Sequence, residues 1–372
     1  GYHICMNSQP SIEDVASCLA HILDPMSDDH ADIMGYLTGR GVGLPDRIIE
    51  KLRFRAFNEL AMDNALAHTS PALHRNLIGI LCTTINLGKS KHPQGRPLIE
   101  GWFKLLKKFL ADPLPSSTGS RSDDPKRRHP EKKAKRYKLS LADLEVLIEA
   151  VVRGYNQEYP ETTTGRSPLA KLEHWLTKST GLVRRLRPVD RSLDFLYKRY
   201  YTATIAGSVK RGLRPYIQFQ NAIYRNQQLS VMAPLIGKKV TLEVDIRDLR
   251  CIHAYLESGD SIGILQAQGG WATTPHSLQT RRAISRHRNR VRVRHGVGDF
   301  VRWFVEELAK RKKRHASMPN ITTRINREIE QAHKRDQQRD QAQQGQQKEP
   351  KPKDDFGTWL DIGPDIGFDD ED

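Results

Sequence analysis

The stretch "KKVTLEVDIRDLRCIHAYLESGDSIGILQAQGGW", residues 238–271, decides how the chain is to be read. Val240, Leu242 and Val244 alternate with Thr241 and Glu243, the period-two pattern of a half-buried strand. Asp, Gly and Ser break the apolar runs at short intervals, as turns do. The pattern predicts a small β-barrel over residues 200–280. Tyr200, Tyr201 and Tyr224, in and near it, are expected to pack in its core.

Upstream the period changes. "LSLADLEVLIEAVVRGYN", residues 139–156, predicts a helix capped by Ser140, part of a helical extension over 139–199. Residues 113–138 have no apolar period and read as an exposed basic linker. "PSIEDVASCLAHIL", residues 10–23, predicts a helix with Ser11 and Asp14 as a capping box. "GYHICMN" before it alternates like a strand. "LPDRIIEKLRFRAFNELAMDN", residues 44–64, predicts a helix turning into a strand that ends near Asp63. "SPALHRNLIGIL" is a short helix and "CTTINL" a short strand. "GKSKHPQGRP" is a loop, and "PLIEGWFKLLKKFLA" a helix with Pro97 in its first turn.

The chain has 372 residues, 37% of them apolar, and a net charge of +16, which suits a polyanionic partner, usually nucleic acid. Its four cysteines form no CxxC, so no disulfide framework or zinc site is suggested. No long apolar run and no signal peptide are present, so a soluble intracellular protein with no membrane contact is expected. The densest basic runs are "RRLRPVDR", residues 184–191, and "RRAISRHRNRVRVRH", residues 281–295. They make Arg184, Arg185, Arg187, Arg281, Arg282, Arg286, Arg288 and Arg290 candidate contacts to DNA phosphates. Residues 281–342 read as an Arg/Lys-rich helical segment. Residues 343–372 read as a disordered tether and an acidic tail.

Two carboxylates stand out. Asp63 closes a predicted strand, and Glu100 follows after 36 intervening residues, on the helix that begins at Pro97. Glu100, Lys104, Lys107 and Lys108 share one face of that helix, with Ile99, Trp102, Phe103, Leu106 and Leu110 elsewhere on it. Such a face is either an acid that binds Mg²⁺ among lysines that hold DNA, or an ordinary solvated face with an ion pair. Asn64 and His68 flank Asp63, with His68 expected to be structural or DNA-facing.

"AMDNALAH", then a Glu preceded by "HPQGRPLI", then "VVRGYNQEYPETTTGRSPLAKLEHW", resembles the D-D-E catalytic core of retroviral integrases and transposases. "MAPLIGKKVTLEVDIRDLRC…" resembles the Mu-type transposase C-terminal barrel. Together they resemble the TnsB-type subunit of heteromeric bacterial transposons, over about residues 1–285. The fold this implies is an α/β RNase H-like core over 1–112 with its N-terminal part truncated. A helical extension, a Mu-type β-barrel and a helical or disordered C-terminal tail follow. The resemblance implies a two-metal Mg²⁺ site, with Mn²⁺ as a substitute, in which Asp63 and Glu100 are ligands. The first Asp and the end-recognition modules are expected upstream of Gly1. Ala65 stands where many relatives have Gly.

The implied activity is cleavage of transposon 3′ ends and their joining to target DNA, by a homo-oligomer on DNA in the bacterial cytoplasm, nucleoid-associated. The acidic tail "DDFGTWLDIGPDIGFDDED", residues 354–372, carries large apolar groups among its charges, which suit a partner's groove. The resemblance points to an AAA+ ATPase regulator, with Phe356, Trp359, Leu360 and Phe368 as anchors. Two other readings stand beside this one: a non-catalytic DNA-binding and assembly module, and a general two-metal nuclease.

Overall fold

The computed structural model describes residues 3–5, 10–24, 54–63, 69–88, 97–115, 117, 124, 128–158, 165–178, 184–291, 298–311 and 318–348. Helix α1, Ile12–Leu23, starts at the expected capping box: Ser11 N–H donates to Asp14 Oδ2 at 2.7 Å, and Asp14 N–H returns a bond to Ser11 Oγ. Ala16, Leu19 and Leu23 form its buried face. Residues 3–5, the described part of the expected first strand, belong to no strand.

Two short strands follow, β1 (Arg55–Ala56) and β2 (Glu59–Ala61). Helix α2 (Pro71–Gly79) connects β2 to β3 (Thr84–Asn86), which pairs with it in parallel. This is a βαβ unit. Helix α3 spans Pro97–Leu106, and its last turn, Lys107–Ala111, widens into a π-helical turn. Helix α4, Pro130–Tyr137, lies inside the expected linker. That part of the linker reading is corrected: Pro opens the helix and a run of Lys, Glu and Ala, all good helix formers, sustains it without an apolar face. Helices α5 (Leu141–Glu158) and α6 (Pro168–Lys178) follow; Ser140 caps α5 as expected, and Asp143 bonds back to Ser140 N–H to complete a capping box. Strand β4, Arg184–Arg185, then returns to pair antiparallel with β1.

Next comes the barrel: β5 (Lys198–Ser208), β6 (Leu213–Phe219), β7 (Ala222–Arg225), β8 (Lys239–Asp245), β9 (Cys251–Leu256) and β10 (Ser261–Ala267). The order β10–β7–β6–β5–β8–β9 closes on itself, all antiparallel. Closure removes the open edges of the sheet. Val240, Leu242 and Val244 of β8 face inward, as their alternation requires. β6 and β7 join through Gln220 and Asn221, both with positive φ, the geometry of a tight hairpin turn. A bulge in β10 places Gly263 at φ 88°, where a side chain would be strained. The short helix α7, Gln227–Val231, is capped by Asn226. Helices α8 (Leu278–Val291), α9 (Phe300–Arg311) and α10 (Met318–Lys348) complete the described chain.

"DIRDL" holds the turn between β8 and β9. Asp245 and Asp248 each chelate the arginine two residues on, Arg247 and Arg250. Arg247 also reaches Asp194 and lies 4.1 Å over the Tyr197 ring. Arg250 bridges to Asp336 on α10 at 2.8 Å.

The barrel shares its core with the N-terminal residues. One hydrophobic core runs from Ala16 and Leu19 of α1, through Leu73 and Leu77 of α2, into the barrel and on to Phe304 and Ile325. The buried Asn76 amide donates to Phe195 O at 2.6 Å, just ahead of β5, and Tyr197 bonds Ser17 of α1.

At the joint between α1 and α10, Glu13 lies near Glu328, which accepts from Thr280 Oγ1 at 2.8 Å and from Ser277 N–H at the start of α8. Burial, then the Glu328 charge, pushes the Glu13 carboxyl up to about 8. The folded state therefore holds this proton more tightly than the unfolded chain. The stability it contributes is full below the ordinary carboxylate range and is lost as pH rises to about 8. Glu13→Gln is expected to remove this part of the pH dependence and raise the melting temperature at pH near 8. Melting curves of both proteins at mildly acidic and mildly basic pH check it.

Candidate active site and nucleic-acid interface

Asp63 stands just past the carboxyl end of β2. Met62 N–H extends the ladder by donating to Asn86 O at 2.9 Å, which fixes the backbone immediately before Asp63. Asn86, the last residue of β3, steadies the same edge: its amide donates to Glu59 Oε1 at 2.9 Å and its side-chain oxygen accepts from Gly88 N–H. Asp63 is exposed. The carboxyl ends of parallel strands are where α/β sheets present ligand-binding groups. Asn64, Ala65 and His68 lie outside the described residues.

Glu100 occupies the first turn of α3 and is exposed. That helix is anchored by Trp102, whose ring lies 4.8 Å from the Tyr155 ring of α5. Asp63 and Glu100 therefore stand on different supports, a strand edge and a helix, and the chain between β3 and α3, residues 89–96, lies outside the described residues. Among the described residues no group of three or more His, Cys, Asp or Glu side chains gathers in metal-binding geometry. Exposed carboxylates supply the hard oxygen donors that Mg²⁺ takes, so the chemistry of the pair fits the ion.

Lys104, Lys107 and Lys108 are all exposed. The π turn, with Asp112 N–H bonded to Lys107 O at 2.9 Å, widens the helix there yet leaves the lysines facing outward. The apolar side of α3 departs from expectation. Leu110 is buried, but Ile99 and Phe103 are 46% and 61% exposed, so they do not supply the expected packing.

Arg184 and Arg185 are exposed on β4, and Arg187 is exposed while paired with Asp190 at 2.6 Å. In α8 the arginines divide. Arg282 and Arg286 are exposed. Arg288 is half-buried, its guanidinium 3.7 Å from the Phe300 ring centre. Arg290 lies on the helix, with its side chain outside the described residues.

Arg281 is a correction: it is fully buried and cannot reach DNA in this fold. It donates to Leu249 O, Tyr224 Oη and His276 Nε2, and lies 4.7 Å over the Trp271 ring. His276 is set up to accept. Its Nδ1–H donates to Thr274 O at 2.7 Å, leaving Nε2 as the acceptor, and burial followed by the Arg281 charge pushes its pKa down to about 4. Tyr224 in turn donates to Leu249 O, and burial pushes its hydroxyl up. The group clamps α8 to the β8–β9 turn.

The tyrosines divide as well. Tyr224 is buried and Tyr201 packs 4.9 Å from Phe219, as expected of core residues. Tyr200 is 47% exposed on the outer face of β5, with its hydroxyl donating to Glu243. Strand alternation puts it there, because its neighbours Arg199 and Tyr201 point the other way.

The proposed anchors Phe356, Trp359, Leu360 and Phe368 lie outside the described residues. No helix among the described residues is long and apolar enough to cross a membrane. No family model matches the chain, and no curated protein matches it.

Proposed function

We propose that the chain is part of a D-D-E DNA transposase of the Mu and TnsB type, which cleaves transposon 3′ ends and joins them to target DNA. The observation that carries this reading is the order of parts. An acid follows the end of a parallel strand, a second acid sits on the helix after the next strand, and a closed barrel with an arginine-rich helix comes after. Asp63 and Glu100 would hold magnesium, with manganese as a substitute. When bound, paired ions supply activation of a water or a DNA 3′-hydroxyl and stabilisation of the leaving oxygen.

The chain's own residues do the positioning. β2 presents the Asp63 carboxylate outward, and the Trp102 contact fixes the helix that carries Glu100. Lys104, Lys107 and Lys108 neutralise backbone phosphates beside the acids. Arg184, Arg185, Arg187, Arg282 and Arg286 extend the basic surface, with Arg288 and Arg290 on the same helix as the last two. The protein works as a homo-oligomer on DNA in the bacterial cytoplasm, and its tail docks on an AAA+ ATPase through Phe356, Trp359, Leu360 and Phe368.

The test is joining of element ends to a target duplex by the full-length protein, with Mg²⁺ and then with a chelator. Joining that survives chelation overturns the reading. The triple change Lys104→Glu, Lys107→Glu and Lys108→Glu is expected to weaken DNA binding and joining together. Each phosphate that is no longer neutralised lowers the salt slope of binding by about 0.9. An unchanged slope would mean that this face is only solvated.

A further inference from the structure

Between Asp194 and Glu243 the chain has no acidic residue, yet it has eight lysines and arginines. That span builds β5, β6, β7 and the approach to β8. The rest of the barrel is balanced. Glu243 neutralises Lys198, Asp194 and Asp245 hold Arg247, and Asp248 and Asp336 hold Arg250.

The fold gathers five of the eight cations at one end of the barrel. β5 and β6 form a hairpin in which Ser208 faces Leu213. Arg211 N–H and Gly212 N–H close its turn on Ser208 O and Val209 O. Lys210 and Arg211 lie in that turn, and Arg214 follows on β6. Lys238 and Lys239 come to the same end from a separate segment. Lys238 O accepts from Ile205 N–H at 3.0 Å, and Lys239 pairs with Thr204. Gly207 makes the approach possible: a Cβ there would lie 3.0 Å from Cδ1 of Ile236, two residues before Lys238.

All five side chains are exposed, and among the described residues none of them forms an ion pair. The β9–β10 turn reaches this end too, because Leu256 pairs with Val240. Its Asp260 carboxylate is taken by Ser258 Oγ at 2.6 Å, and its Glu257 makes no ion pair among the described residues. Like charges held together without counter-charge repel one another, and a polyanion relieves that repulsion. Val209, 74% exposed in the same turn, adds an apolar contact beside the cations.

We propose that this end of the barrel is a contact surface for the nucleic-acid backbone, in addition to the lysines of α3 and the arginines of α8. A two-stranded ribbon is narrow enough to enter the major groove of a duplex. Lys210, Arg211 and Arg214 then neutralise phosphates along the groove, and Lys238 and Lys239 take phosphates beside it. Contacts of this kind position a duplex without reading its sequence. That the duplex is an element end or its target rests on the transposase reading, and the surface itself does not.

Lys210→Glu with Arg211→Glu alters exposed turn residues and leaves the core intact. Arg302→Glu with Lys310→Glu, both exposed on α9, makes the same change in net charge elsewhere. Binding of a labelled duplex to the full-length proteins is measured by fluorescence anisotropy across a salt series. The hairpin variant is expected to bind about tenfold more weakly, with a salt slope lower by about two. The α9 variant should match the wild type, and Lys210→Arg with Arg211→Lys should restore binding. Equal losses in the hairpin and α9 variants would show a long-range charge effect alone and overturn the surface, as would no loss in either. Binding of a labelled peptide of residues 354–372, lost in the hairpin variant while duplex binding is kept, would assign this end to an acidic protein segment and overturn it too. Hairpin-dependent duplex binding without joining of element ends sinks the transposase reading and keeps the surface. Joining with duplex binding untouched by the hairpin change does the opposite.

Discussion

Exchange of Asp63 for Ala in the full-length protein is expected to cut strand transfer by about 10³-fold or more while leaving end-DNA affinity within about twofold. A ligand to paired metals supports several kcal/mol of charge stabilisation in the transition state, and each 1.36 kcal/mol or so is a factor of about ten in rate. Glu100→Ala is expected to do the same. The split between affinity and rate follows from where the acids sit. Both are exposed and outside the core, so their loss should not unfold the chain, and neither adds positive charge for DNA. A gel assay of pre-cut ends joined to a plasmid, beside an anisotropy titration, measures both. Full joining by either mutant would support the assembly-module reading, in which the acids are structural. Loss of DNA binding along with joining would place them in folding instead of chemistry.

Arg281→Ala is expected to destabilise the fold by about 3–5 kcal/mol, whereas Arg282→Ala should stay within about 0.5 kcal/mol. The two residues are adjacent and chemically identical, but only Arg281 is inside. Truncating it leaves a void under Trp271, strips His276 Nε2 of its donor and opens one of the two bonds at Leu249 O. No hydrophobic neighbour can swing in to satisfy those atoms. Urea denaturation followed by tryptophan fluorescence compares the midpoints. Equal midpoints for the two mutants would mean that the buried network carries no stability.

That pair also shows what could be read from the sequence. The barrel was legible because β alternation is local: Val240, Leu242 and Val244 announce their face without help from other strands. The capping box at Ser11 and the cap at Ser140 were legible for the same reason. The burial of Arg281 leaves a fainter trace. It falls three residues after Leu278 and three before Ile284, both buried, so it lies on the apolar stripe of α8. Charge density over the run drew attention away from that spacing. The π turn at Lys107–Ala111 leaves no local signal, since it shifts hydrogen bonds without changing residue types. The chain's return to β1 through β4 depends on a pairing between residues far apart in sequence, which no short window contains. At the candidate site, the strand-end placement of Asp63 and the helical placement of Glu100 were legible, while the gathering of cations at one end of the barrel, which takes two separate segments, was not.

The continuous core between α2 and the barrel has a thermodynamic consequence. Packed surfaces that cannot part without exposing one another melt as one cooperative unit. Anything that grips the native barrel and not the unfolded chain then stabilises the whole unit by mass action, by about 2.7 kcal/mol at a ligand concentration one hundred times its dissociation constant. Met62, the residue before Asp63, belongs to that core. A polyanion docked on the barrel would therefore suppress fraying of the strand end that presents Asp63, and hydrogen exchange at β2 would slow upon an encounter made elsewhere on the molecule.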